Sequence, residues 1–230
     1  MKKTVVAHQA EFLPYIGFFH RLLKADLFII ADDVQYEKQN FQNRNRIKTV
    51  GGEKWITASL TKHPVETKIN EIFLSRKIDW RTEHLCLIKE NYRKAPFFKQ
   101  IYPYIEELYA YESEKLIEFN INSLRLLCRL FDIKINTILS SSLNIQGKKN
   151  DLVADMLKKV GASAYISGDG AKKYFDPKPF EAVGVNVIWQ NFSHPVYPQI
   201  HGDFLPYMSS IDLLFNCGID ESQKIIRLSY

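Results

Sequence analysis

The first fifty residues hold the densest set of side chains able to do chemistry. His8 and Gln9 follow a short Val/Ala run, Asp32 and Asp33 follow a second apolar run, and Gln35, Tyr36 and Asn43-Arg44-Asn45-Arg46 come soon after. A histidine at a strand end can exchange a proton near neutral pH or bind phosphate. Paired aspartates can take a proton, orient a hydroxyl or amine, or bind a metal. Such a pair is common at loop starts, so the metal is the lesser reading and His8, Asp32 and Asp33 are taken as the catalytic candidates. Arginine forks match phosphate or carboxylate, and asparagine amides suit sugar hydroxyls. Gln9, Gln35, Tyr36, Asn43, Arg44, Asn45 and Arg46 are therefore candidate ligand contacts. A merely solvated loop favours Lys, Glu, Ser and Gly over this mix.

Weaker candidates follow downstream. Ser140-Ser141-Ser142 and Gly147-Lys148-Lys149 precede a helix pattern, where hydroxyls and Lys148 could hold phosphate, although the spacing is not that of a P-loop. Ser167-Gly168-Asp169-Gly170 is a glycine turn after a strand, with Ser167 and Asp169 as polar candidates. His194 lies in a proline-stiffened loop with Trp189 and Tyr197. His20 falls inside a helix pattern and reads as a packing residue. Cys217, at a helix end without an evident base, reads as structural.

These side chains need elements to position them. Thr4–Ala7 and Leu27–Ile30 read as strands delivering His8 and the aspartates at their C-terminal ends, where open α/β sheets bind ligands. Phe18–Ala25 reads as a helix, and 55–60 and 69–74 as strands. Apolar residues recur at helical spacing through 80–131, predicting about three helices. Strands at 135–139, 164–167 and 185–189 alternate with a helix capped by Asn150-Asp151 and ended by Gly161, and with a short helix or turn at 180–183. A final helix from Ser209 to Phe215 is expected to pack on the sheet. The pattern predicts an α/β three-layer fold with a mainly parallel sheet and a helical insertion in the middle of the chain, in a single domain over 1–230.

Bulk properties narrow the partners. The 230 residues are 46% hydrophobic and 25% charged, with a net charge of +5. Residues 1–100 carry 18 Lys/Arg against 11 Asp/Glu, and the remainder 13 against 15. The basic half points to an anionic ligand, but its charges are interleaved with acids and lack a nucleic-acid signature. A phosphorylated small molecule fits this balance better than a polymer, and a solvated surface that is merely basic stands beside it; the cofactor is left unspecified. No apolar run is long enough to span a bilayer. The opening Met-Lys-Lys-Thr-Val-Val-Ala resembles the start of a secretory signal but is too soon interrupted, so it reads as a first strand and the protein as cytoplasmic. Three distant cysteines argue against a disulfide scaffold or zinc site.

Together the motifs resemble the WbqC-like family of bacterial proteins. The matching pieces are His8-Gln9 with Leu13-Pro14-Tyr15-Ile16-Gly17-Phe18-Phe19, then Asp32-Asp33-Val34-Gln35-Tyr36 and Phe41-Gln42-Asn43-Arg44-Asn45-Arg46-Ile47-Lys48. Gly147-Lys148-Lys149, Tyr165-Ile166-Ser167-Gly168, His194-Pro195-Val196-Tyr197-Pro198-Gln199 and Ile211-Asp212-Leu213-Leu214-Phe215-Asn216-Cys217-Gly218 continue the match over nearly the whole chain. Ala10 and Tyr15 depart from the family's usual proline and tryptophan. The resemblance implies a setting in gene clusters for O-antigen or another surface polysaccharide and brings no established reaction. The first strand, turn, helix and second strand also resemble nucleotidyltransferases and pantothenate synthetase, but Tyr15-Ile16-Gly17-Phe18 lacks both histidines of their His-x-Gly-His turn. That likeness implies fold and nucleotide binding alone.

The expected function is an enzyme of surface-glycan assembly that transfers an acyl or aminoacyl group to a nucleotide-linked amino sugar. The alternative is a non-catalytic scaffold that binds the same sugar nucleotide or a glycan.

Overall fold

The computed structural model describes residues 2–228. The chain runs β1 (Thr4–His8), α1 (Ile16–Leu22), β2 (Leu27–Ile30), β3 (Arg44–Thr49), β4 (Gly52–Thr57), α2 (Trp80–Tyr92), α3 (Phe98–Ala110), α4 (Leu116–Leu130) and β5 (Asn136–Leu139). It continues with α5 (Asn150–Lys159), β6 (Ala164–Ser167), α6 (Lys178–Ala182), β7 (Asn186–Trp189) and α7 (Ser210–Leu228).

Five strands form a parallel sheet in the order β5-β2-β1-β6-β7. β1 is thus central, with Val5 opposite both Leu27 of β2 and Tyr165 of β6. Side chains alternate across the strands and build a core on each face. Val6, Phe28, Ile30 and Ile166 face the larger core, made with α1 to α4 and α7. Val5, Ala7, Leu27, Ile29 and Tyr165 face a smaller one, made with α5 and α6. The result is a three-layer α/β fold in which the 80–130 helices lie within one outer layer.

Several elements differ from the sequence reading. Residues 69–74 do not form a strand: Ile69–Glu71 is a 3-10 turn, and isolated bridges join Leu74 to Leu60 and Phe73 to Lys115. Arg44–Thr49 is a strand rather than a loop, paired antiparallel with β4 from Arg44 opposite Thr57 to Thr49 opposite Gly52. Asn150 is not a cap: Lys149 takes that position without a side-chain hydrogen bond, and the Asn150 amide donates to the Tyr174 carbonyl. α7 runs well past Phe215 and packs chiefly on α1 and α3. It bends at Gly218, whose φ is 72° and where a Cβ would lie 2.6 Å from the Phe97 ring. Only glycine meets both demands.

Near this bend a buried polar network ties the C-terminal helix to the 197–205 loop. The Asp212 carboxylate accepts from Tyr92 Oη at 2.7 Å, Tyr197 Oη at 2.9 Å and Gln199 Nε2 at 2.7 Å. Lys48 donates to the Gly202 and Asp203 carbonyls of the same loop.

Candidate active site

In chain order the sheet strands lie third, second, first, fourth and fifth, so the winding reverses between β1 and β6. A crevice forms outside the carboxyl ends of strands at such a point, because the connections leave in opposite directions. Here it is a cleft of about 930 Å³, within the size range of small-molecule sites. His8 closes β1 and Ser167 closes β6, and both line the cleft with Gln9 and Gly168. Glu11 and Tyr15 come from the β1–α1 loop, Arg21 from α1, and Phe41 and Arg46 from the segment around the β3–β4 hairpin. Tyr165, Phe175 and Phe180 line an apolar part, with Tyr165 and Phe180 stacked at 5.8 Å.

The β1–α1 loop is held from several sides. The buried Asn45 amide donates to the Phe12 carbonyl at 3.1 Å and the Leu13 carbonyl at 2.8 Å. Asn120 donates to the Ala10 carbonyl at 2.9 Å, and Ser209 Oγ to that of Leu13 at 2.8 Å. Leu13 adopts a φ of 44°, an uncommon conformation for a branched residue that such bonds help to hold. The loop is therefore a rigid mount for Glu11.

Glu11 and His8 lie side by side in the cleft. Nδ1 of His8 lies 3.0 Å from the Gln9 carbonyl oxygen and 3.7 Å from Glu11 Oε1. Because a carbonyl only accepts, Nδ1 carries the proton and Nε2 of the neutral ring the lone pair. Burial and the neighbouring Arg21 charge push His8 down to about 3, with the bond to Gln9 opposing. Burial pushes the Glu11 carboxyl up to about 7, against the pull of Arg21. Glu11 Oε2 is buried without a hydrogen-bond partner among the described residues. The group poised to titrate near neutral pH is thus the carboxyl.

The other candidates lie at varied depths. Arg46 lines the cleft, its guanidinium 2.8 Å from Glu53 and also donating to the Tyr207 carbonyl. Asp169 lines it beside Lys172 at 2.6 Å. Asp32 and Asp33 are not among the lining residues. Asp32 accepts from Ser140 Oγ, the Ser141 amide, Ser141 Oγ and Asn70 Nδ2, and Asp33 accepts from Ser140 Oγ. They clamp the ends of β2 and β5 together.

Gln35 donates to the Val65 carbonyl, and the Tyr36 amide to that of Thr67, pinning the loop before Lys68. Asn43 donates to the Ala58 carbonyl, and Arg44 lies 4.2 Å over the Trp55 ring. Lys148 is exposed and outside the lining, whereas Lys149 and Asn150 contribute to it. His194 stands behind the wall, packed on the rings of the lining residues Phe192 and Tyr207. Cys217 is buried, which pushes its thiol up to about 11, away from ready nucleophilicity. Among the described residues no three His, Cys, Asp or Glu side chains gather as a metal site, and no helix is long and apolar enough to cross a membrane.

Two charged residues of the lining, Glu11 and Arg21, matter to the cleft and had no assigned role in the sequence reading. The signal for Arg21 was the composition of α1, where every residue is buried. A charge in so apolar a helix is forced inward.

Fold and cleft define a doubly wound α/β protein with a cleft at the switch point of its parallel sheet. The chain belongs to the WbqC-like protein family, whose profile matches residues 9–224. It is 32% identical over 223 residues, 96% of each chain, to the uncharacterized protein Rv1507c of Mycobacterium tuberculosis (strain ATCC 25618 / H37Rv). No solved structure is significantly similar to it.

Proposed function

We propose that this protein is a transferase of surface-glycan assembly that places an acyl or aminoacyl group on the amino group of a nucleotide-linked sugar. The observation that carries the reading is the Glu11–His8 pair on a rigid loop in the cleft. A carboxyl titrating at about 7 is matched to removing a proton from an amine at neutral pH. His8 Nε2, held as an acceptor, orients an amine N–H. The amine nitrogen attacks the acyl carbonyl carbon of an activated donor as Glu11 takes its proton. The new C–N bond forms, the bond to the donor's leaving group breaks, and Glu11 returns the proton to that group. The aromatic part of the cleft suits a nucleobase. The polysaccharide setting rests on the family resemblance.

The test is incubation with nucleotide amino sugars and acyl or aminoacyl thioesters, followed by mass spectrometry. A mass gain equal to the added group, lost in Glu11→Gln, supports the reading. No gain with any pair sinks it, and thermal stabilisation without product identifies a binding scaffold instead.

A further inference from the structure

Arg21 is the buried cation of the cleft that touches no carboxylate: the Glu11 carboxyl feels its charge but makes no ion pair with it among the described residues, and Lys149, also without an ion pair, is exposed to water. Arg21 is 5% exposed and lines the cavity, yet among the described residues its guanidinium makes no ion pair or hydrogen bond. Its one close ring contact is Phe18, at 5.5 Å. Arg46 and Lys172, by contrast, are paired with Glu53 and Asp169. A guanidinium keeps its charge in proteins, and holding one out of water without a partner costs folding free energy. A residue kept for stability alone would have acquired a carboxylate in direct contact or given way to an apolar side chain.

Gly168 fits the same picture. A Cβ there would lie 3.3 Å from Arg21 Nη1, so glycine lets the guanidinium approach the β6 turn closely. Gln9 and Ser167 line the same floor and offer an amide and a hydroxyl. A carboxylate is satisfied by an arginine fork alone, whereas phosphate has further oxygens for such donors.

We propose that Arg21 is the seat of a phosphate group of the ligand, with the Gly168 turn as the seat's other side. This rests on the reading that the substrate is nucleotide-linked and assigns which residue holds its phosphate. Binding supplies the missing counter-charge, so stability given up by the empty protein returns in the complex.

The experiment is calorimetric titration of the intact protein with uridine monophosphate, inorganic phosphate and acetate, beside melting of the unliganded variants. Uridine monophosphate and phosphate should bind, with acetate weaker. Arg21→Gln should lower phosphate affinity at least about tenfold while leaving the unliganded melting temperature equal or higher. Should that variant fold poorly, Arg21→Lys, which keeps charge but loses the fork, and Gly168→Val, which crowds Nη1, should both weaken binding. Affinity within about twofold of wild type in the well-folded variants overturns the proposal, as does a wild type that binds neither phosphate probe. A protein that binds phosphate through Arg21 yet modifies no amino sugar leaves the seat standing and removes only the transferase reading.

Discussion

The Glu11 carboxylate lies 3.7 Å from Nδ1 of His8, across the carboxyl end of the central strand. That is too long for a hydrogen bond, so the two remain separate tools: a carboxyl that titrates and a neutral imidazole that accepts. If Glu11 is the base, kcat/KM should rise with pH through about 7, as the carboxyl loses its proton. Glu11→Gln should lower kcat by about 100-fold or more and abolish that limb. A pH–rate profile unchanged in the variant would remove Glu11 from the chemistry.

Asp32 should prove structural. Its carboxylate accepts from Ser140, Ser141 and Asn70, and Asp32→Ala removes the acceptor they share, leaving Ser140 Oγ with Asp33 alone. The expected loss is about 2–4 kcal/mol of unfolding free energy by urea titration, with turnover per folded molecule nearly unchanged. A strong loss of turnover at full stability would return Asp32 to the active site.

Asn45 acts through the loop it holds. Asn45→Ala orphans the buried Phe12 carbonyl and leaves that of Leu13 with Ser209 alone, and should cost about 1–3 kcal/mol. It should also loosen the mount of Glu11, lowering kcat more than it raises KM. Faster amide exchange in residues 9–14, followed by mass spectrometry, would show the loosening; protection equal to wild type would refute it.

Acid should destabilise the fold. Burial pushes His20 and His84 down to about 4, and burial with Arg21 pushes His8 to about 3, from 6.5. The unfolded chain therefore takes up protons below 6.5 that the fold refuses, and this stability is complete above 6.5 and lost toward 4. Glu11 slopes the other way, since its contribution is present below 4.5 and is lost as pH rises through 7. Burial lowers His194 and raises Asp212 as well, and four histidines outweigh two carboxyls, so the melting temperature should fall between pH 7 and pH 5. His84→Phe should flatten the fall; a melting temperature constant over that range would contradict these environments.

The layer order was legible because its signals are local. Ala164–Ser167 stands between turn residues, and the 80–130 helices repeat their apolar residues at helical spacing. At Asn43 to Arg46 the unusual composition was read for ligand chemistry, which Arg46 keeps open by lining the cleft, and the strand was missed. The same four residues continue into Ile47 with Asn45 and Ile47 buried and Arg44 and Arg46 half-buried, the alternation of a strand. Asn45 is polar because it must satisfy a distant loop's carbonyls, a demand set by tertiary structure. For Arg21 the apolar composition of α1 signals that the charge is buried, but what it faces appears only when every neighbour has been placed.

The placement of β1 at the middle of the sheet bears on synthesis as well as chemistry. Its partner β6 is separated from it by more than 150 residues of chain, and the cleft wall continues to Tyr207. A growing chain thus carries His8, Glu11 and Arg21 well before the other bank of their cleft exists. Closing so long a loop late in folding is slow, and in that interval the unmatched Arg21 and the open edge of β1 would be exposed to other chains. Ligand supplied during refolding should therefore raise the yield of native protein, acting as a template for the last strands to dock.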